Sequence, residues 1–314
     1  MTAALLQVAQ IALVVLLAPL MTGLVRLIKA RLLGRRGPPL LQPYRDLTRL
    51  LRKDAVLAAN ASWLFRAAPY FVFALTWLAA SLVPGVTAVL ALAPTADLIA
   101  LIAILASARF LLALAGMDVG TSFGGIGSSR EMLIAALAEP AMLMVTFTVA
   151  LVAKSTSLSE IARFIIGGGV GLEVSLALAL MAVLMVAIAE NGRVPVDNPA
   201  THLELTMVHE AMVLEYSGRH LAMIEAASML KLLTYASMIA CIFVPWGMAV
   251  EATPHALLLG LVTYVAKLAA AAVLLAVFET SIAKMRVFRV AEFLGGALML
   301  SLIATIVRLM SEGL

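Results

Sequence analysis

The chain has little of the two residue classes that most often carry chemistry in a soluble protein. Of its 314 residues, one is cysteine, Cys241, and only 13% are charged. One thiol closes no disulfide within the chain and cannot supply the four thiolates that an iron–sulfur cluster typically takes. Any electrons that concern the protein therefore run through a partner. The scarcity of charge, set against 63% hydrophobic residues and a mean hydropathy of +1.08, excludes an ordinary soluble domain. Motifs for catalysis are also missing. The glycines at 120, 124, 125 and 127 are loosely spaced like a phosphate-binding loop, but no strand precedes them and no Lys-Ser/Thr closes them. His209-Glu210 lacks a second histidine four residues on, so it is not a zincin helix, and no serine or cysteine nucleophile setting is present.

What the chain has is long apolar runs. A bilayer core takes roughly 20 apolar residues in helix, because unsatisfied backbone groups are not tolerated in lipid. Such runs lie near 4–26, 69–92, 96–115, 131–153, 170–189, 227–249, 256–278 and 291–311. The first lacks a basic leader and a small-residue cleavage site, and arginines follow it, so it reads as a retained helix. The expected fold is an all-α integral membrane protein of about eight transmembrane helices. We expect a single polytopic domain over 1–314, with cytoplasmic loops near 27–68, 116–130, 190–226 and 279–290.

Lys and Arg set the orientation. Sixteen fall in or at the edge of those four loops, ten of them from Arg26 to Arg66, whereas the opposite face has two, Lys154 and Arg163. Eight spans then place both termini on the extracytoplasmic side. The first loop breaks at Pro38-Pro39 and continues as an amphipathic cytoplasmic helix. Tyr44, Leu47 and Leu51 share one stripe, and Arg45, Arg49 and Arg52 another. Such a helix lies on the membrane surface or forms the lip of a lateral cavity. The second loop reads as a flexible linker or partner contact. In the third, Asn198-Pro199 marks a helix start and Gly218 its stop. On that helix Glu204 and Glu215 share one face and His202 and His209 another, each pair about 20° apart.

Charges inside the membrane need partners or water. Arg109, Glu139 and Lys267 fall within spans, and acidic residues crowd the cytoplasmic end at Glu190, Asp197, Glu204, Glu210, Glu215 and Glu225. Two readings stand. One is static interhelical ion pairs such as Arg109 with Glu139. The other is a hydrated proton route through carboxylates that cannot all stay ionised.

The stretch from Glu190-Asn191-Gly192-Arg193-Val194-Pro195-Val196-Asp197 through His209-Glu210 to Glu215-Tyr216-Ser217-Gly218 resembles the signature of the complex I subunit-1 family. Arg36-Gly37-Pro38, Gln42-Pro43-Tyr44-Arg45-Asp46, Ser128-Ser129-Arg130-Glu131 and Glu139-Pro140 extend the resemblance over essentially the whole chain. It is similar in particular to the hydrogenase branch, which contains the membrane subunit of formate hydrogenlyase and component C of hydrogenase-4. Respiratory members usually carry further acidic residues after the aspartate. Here Asn198-Pro199-Ala200-Thr201-His202 stands instead, which argues against a bound quinone.

The resemblance implies a membrane anchor, not catalytic on its own and without a cofactor in this chain. The [NiFe] centre and Fe–S clusters are expected in hydrogenase-like large and small peripheral subunits, and antiporter-like membrane subunits would move H⁺ or Na⁺. By matching position, Glu139, Glu190, Glu204, Glu210, Glu215 and Glu225 would enter a polar axis, with Arg193 and Asp197 shaping the cavity below the partner arm. Arg36, Gln42, Tyr44, Arg45, Asp46, Arg130, His202, His209 and Tyr216 would take part in docking. Two rivals stay open: a quinone-chamber subunit and a passive structural anchor.

Overall fold

A computed structural model describes residues 2–168, 173–197, 208–283, 285 and 289–312. The described residues form helices α1 (Thr2–Leu32), α2 (Gln42–Leu51), α3 (Trp63–Leu82), α4 (Leu98–Asp118), α5 (Ser122–Ala153) and α6 (Leu158–Ile166). They continue as α7 (Val174–Glu190), α8 (His209–Val213), α9 (Gly218–Phe243), α10 (Pro254–Ser281) and α11 (Arg289–Glu312). Seven of these, α1, α3, α4, α5, α9, α10 and α11, are long and apolar enough to cross a membrane. The fold is that of an all-α, multi-pass membrane protein. The remaining expected span, α7, has 17 residues.

Side-chain and backbone bridges define two ends of the bundle. At one end Lys29 of α1 meets Glu279 of α10 at 2.9 Å, Arg193 beyond α7 meets the same carboxylate at 3.5 Å, and Asp118 of α4 accepts from the Ser62 amide at 2.9 Å. At the other end Gln7 donates to the Ser81 carbonyl at 3.0 Å, Ala88 N–H to Ala249 O at 2.9 Å, and Leu158 N–H to Ala96 O at 3.0 Å. Arg308 of α11 holds Glu173, just before α7, at 3.1 Å, and Thr148 and Thr305 join α5 to α11 at 2.8 Å. The short α7 therefore reaches from one end to the other, and it alternates in direction with the seven longer helices.

Lipid offers no hydrophobic drive for helices to associate, so close backbone approach through small residues has to hold them. The buried alanines fit that demand: Ala138 and Ala141 of α5, Ala179 and Ala182 of α7, and Ala297 and Ala304 of α11. These three helices pack extensively on one another. The central element is α9, whose side chains enter all three buried apolar clusters, while α10 sits at the edge.

Several boundaries depart from the apolar runs. The run at 69–92 yields a helix that begins earlier and stops at Leu82, because Pro84 and Gly85 break it. The segment beyond folds back to bridge Thr87 with Ala249. The glycines at 124, 125 and 127, expected in a flexible linker, lie inside α5, whose start is capped by the Thr121 hydroxyl. The third-loop helix does not run on to Gly218. It ends at Val213, and Gly218 instead opens α9. Tyr216 explains the break. Its ring stacks on Phe65 with centroids 4.0 Å apart and its hydroxyl donates to the Phe65 carbonyl at 3.1 Å, which pulls the chain off the helical path. The amphipathic α2 forms as expected, with Pro43 buried, Leu47 packed against the bundle and Tyr44 donating to the Leu16 carbonyl.

Candidate functional site

Arg109 stands in the middle of α4, where its charge has to be matched. Its guanidinium donates to Glu139 of α5 at 2.6 Å and to Glu190 at the end of α7. One arginine thus ties three helices together. Arg109 and Glu190 are buried, whereas the Glu139 side chain keeps 40% of its surface open on the outer side of α5. The Arg109 Nε is buried with no hydrogen-bond partner among the described residues, so the fork is only partly satisfied.

Above this cluster lie two cavities. The larger, about 450 Å³, is walled by Arg26, Arg193, Asp197, His209, Glu210 and Glu225 among others. The smaller, about 30 Å³, is lined by Arg109, Glu131 and Lys231. His209 and Ser228 border both. The smaller space has room for about one or two waters, and its polar walls can hydrogen-bond them.

Loop backbone shapes the larger cavity. The buried Asp197 accepts from the Val208 amide at 3.2 Å, which joins the two described sides of the third loop. Arg193 is drawn toward Glu279, and burial pushes its ordinarily very high pKa down, with Glu279 opposing the shift and Arg26 adding to it. Burial also raises the Tyr216 phenol, helped by the nearby Asp118 charge.

Desolvation at the seam between the cavities, with Lys231 close by, lowers the His209 pKa from 6.5 to about 4 against the opposing pull of Asp197. Folded His209 is then neutral through the range in which an exposed histidine takes up a proton. Between about pH 6.5 and pH 4 the opened state binds more protons, so stability falls on acidification through that window. We expect thermal midpoints in detergent to drop between pH 7 and pH 5, and His209→Asn to flatten that dependence. An unchanged slope in the variant would show that other groups carry it.

The sequence-derived site residues are thus partly brought together. Arg109, Glu139 and Glu190 form one cluster, and Arg193, Asp197, His209, Glu210 and Glu225 line the cavity that leads to it. His202 and Glu204 lie outside the described residues. Glu215 is half-buried beside Tyr216 and is not among the cavity walls. Gln42 and Asp46 bond each other on α2 at 3.0 Å, Arg36 and Arg45 are exposed, and Arg130 is half-buried on α5. Lys267 stands apart on α10. Reading the sequence overlooked Glu279, Lys29, Arg26 and Lys231, and took Glu131 only as part of a motif. Their signal was a charge at or within about one turn of the end of an apolar run.

The profile of the NADH dehydrogenase family matches residues 5–309. Formate hydrogenlyase subunit 4 of Escherichia coli (strain K12) is 36% identical over 269 residues, 86% of this chain and 87% of that protein. Hydrogenase-4 component C of the same organism is 34% identical over 278 residues, 88% of this chain and 87% of that one. The fold is shared with a chain of the membrane-bound sulfane sulfur reductase, an archaeal respiratory membrane complex. That likeness has a TM-score of 0.83 at 21% identity and covers 96% of this chain and 98% of the other. Matched by that profile over nearly its whole length, with close relatives among hydrogenase membrane subunits, the chain belongs to the NADH dehydrogenase family, the complex I subunit-1 line.

Proposed function

We propose that this protein is the membrane-anchor and coupling subunit of a group 4 [NiFe]-hydrogenase-type complex, of the formate hydrogenlyase or hydrogenase-4 kind. It docks a peripheral redox arm carrying the nickel–iron and iron–sulfur centres and links electron transfer there to H⁺ or Na⁺ movement in antiporter-like membrane subunits. The observation that carries this reading is the series of ionisable groups that line the two adjoining cavities. It runs from the larger cavity, past His209 and Lys231, to Glu131 and the Arg109–Glu139–Glu190 cluster. Charges this deep need partners or water, and carboxylates joined through water can pass protons along such a path.

The basic end of the bundle is read as cytoplasmic by the excess of Lys and Arg there. Its α2 and third-loop surface is the docking face. With α7 as an eighth crossing, both termini lie on the opposite side of the inner membrane. The path from one end of the bundle to the other that α7 follows supports that count, since 17 residues at 1.5 Å each span about 25 Å.

The rival quinone-chamber reading draws support from the cavity volume, which lies in the range of small-molecule sites. Its walls speak for water instead, because Arg26, Arg193, Glu210 and Glu225 are charged where a quinone ring prefers apolar and aromatic contact.

The test uses Glu131→Gln, Glu139→Gln and, from the third loop, Glu204→Gln in the assembled complex, with substrate turnover and ion transport measured separately. The coupling role predicts retained turnover with transport reduced by about tenfold or more, the scale of a lost proton-transfer group. Transport that stays in proportion to turnover in every variant would leave only a structural anchor.

A further inference from the structure

Helix α3 is fixed at both ends of the bundle. The Ser62 amide, just before it, bonds Asp118 at the end of α4, and at the opposite end Gln7 donates to the Ser81 carbonyl. Its 20 residues rise about 30 Å, the thickness of a hydrocarbon core. The first two turns of α3 therefore stand where headgroups meet acyl chains, at the basic end. Trp63, Arg66, Tyr70, Ala74 and Leu78 fall within an arc of about 120° on this helix, and all five are exposed. Trp63 is 76% and Tyr70 44% exposed. Tryptophan and tyrosine are the residues whose amphipathic rings settle at headgroup level. Helical side chains lean toward the N-terminus, so Arg66 reaches toward the membrane surface and not into the core.

A second cation joins this face from α9. The Tyr70 ring meets His220 edge-on, with centroids 5.6 Å apart, which brings the first turn of α9 against the same stripe. Arg219, next to His220, is exposed, and Arg66 is one turn from Tyr70. Neither guanidinium has an ion pair or hydrogen bond with a described residue. The carboxylates nearby are placed differently. Asp118 bonds the Ser62 amide from α4, and Glu215 adjoins Tyr216, which stacks on Phe65 on the buried face of α3. Asp54, whose carbonyl lies against Gly218, is exposed with Lys53 beside it in the chain.

We infer that the outer face of α3, together with Arg219 of α9, is a binding site for an anionic phospholipid of the leaflet at the basic end. The phosphate lies between Arg66 and Arg219, Trp63 and Tyr70 flank it at headgroup level, and the acyl chains run over Ala74 and Leu78. Charge complementarity selects this occupant. A helix of a partner subunit would cover Ala74 and Leu78 equally well, but two unpaired guanidiniums at headgroup depth match a phosphate, whose oxygens accept from both. An anionic headgroup adds a net negative charge that a zwitterionic one lacks. The inference needs only the membrane fold, and it is independent of the coupling role.

The test places a photoreactive residue at Ala74 in the full chain, in nanodiscs holding equal amounts of phosphatidylglycerol and phosphatidylcholine. Each basic residue near an anionic surface contributes about fivefold in binding, so adducts with phosphatidylglycerol should outnumber the others by at least about fivefold. Arg66→Gln combined with Arg219→Gln should bring the ratio near one. Arg31→Gln combined with Arg36→Gln, the same charge change elsewhere at the basic end, should leave it unchanged. Equal labelling of the two lipids by the chain with both arginines overturns the inference, as does a preference that the Arg31 and Arg36 changes abolish equally. Inorganic phosphate should not compete; full competition would mean a site for free anions and not for lipid. In the assembled complex, an Ala74 adduct with a protein subunit would give the face to a partner helix and also overturn the inference. If the Arg66 and Arg219 double variant is lost from the membrane, the adduct ratio of the chain with both arginines decides.

Discussion

Replacing Arg109 with methionine is expected to leave little assembled protein in the membrane. The side chain fits the space, so the loss is electrostatic. Glu190 would stay buried without its counter-charge, and Glu139 would keep a half-open carboxylate facing the outside of a transmembrane helix. Removing one partner of a buried pair typically costs about 3–5 kcal/mol. That is a large part of the roughly 5–15 kcal/mol that stabilises most folded domains. The measurement is the amount of chain recovered from membranes, together with its thermal midpoint in detergent. Combining Arg109→Met with Glu190→Gln should recover part of the loss, because the deepest unpaired charge is then gone. Arg109→Lys should fall between, since one ammonium group cannot reach two carboxylates as a planar fork does. A methionine variant as stable as the wild type would mean that both carboxylates are protonated or hydrated without the arginine.

Adjacent glycines on α5 are expected to respond in opposite ways. A Cβ on Gly124 would stand 2.0 Å from the Gly116 carbonyl oxygen, a backbone atom of α4 that cannot swing aside. Gly124→Ala should therefore push the two helices apart at the α4–α5 turn, at about 1–3 kcal/mol or more. A Cβ on Gly125 meets nothing within 4 Å. Gly125→Ala should be neutral or stabilising by up to about 1 kcal/mol, the helix-propensity difference. Parallel thermal denaturation of the two variants checks the pair. Equal effects would show that the α4–α5 contact is looser than the structure has it.

These glycines also show where reading the sequence stops. Four glycines in eight residues look like a linker when only local propensity is weighed. In the fold, two of them are contact points. Gly124 meets α4, and Gly127 lies against Ala211 and the Val208 carbonyl near α8. Nothing in the local sequence separates a glycine that loosens a chain from one that lets two helices touch. Gly218 misleads for the same reason. It has the positive φ of a helix stop, +52°, but it sits against the Asp54 carbonyl and begins α9.

The sequence by itself determined the solvent of this protein, the approximate place of its spans, its basic face and its family. Each of these is a sum or a pattern over many residues, and such quantities survive ignorance of contacts. The Arg109–Glu139 pair was legible too, because two opposite charges inside a membrane have few alternatives to each other. Only the tertiary structure decided that Glu190 completes the pair and that Glu279 gathers Lys29 and Arg193. The physical reason is distance along the chain. Arg109 and Glu190 are 81 residues apart, and Lys29 and Glu279 are 250 apart. Helical periodicity relates residues a few turns from one another, whereas partners that distant meet only once the helices have chosen their neighbours.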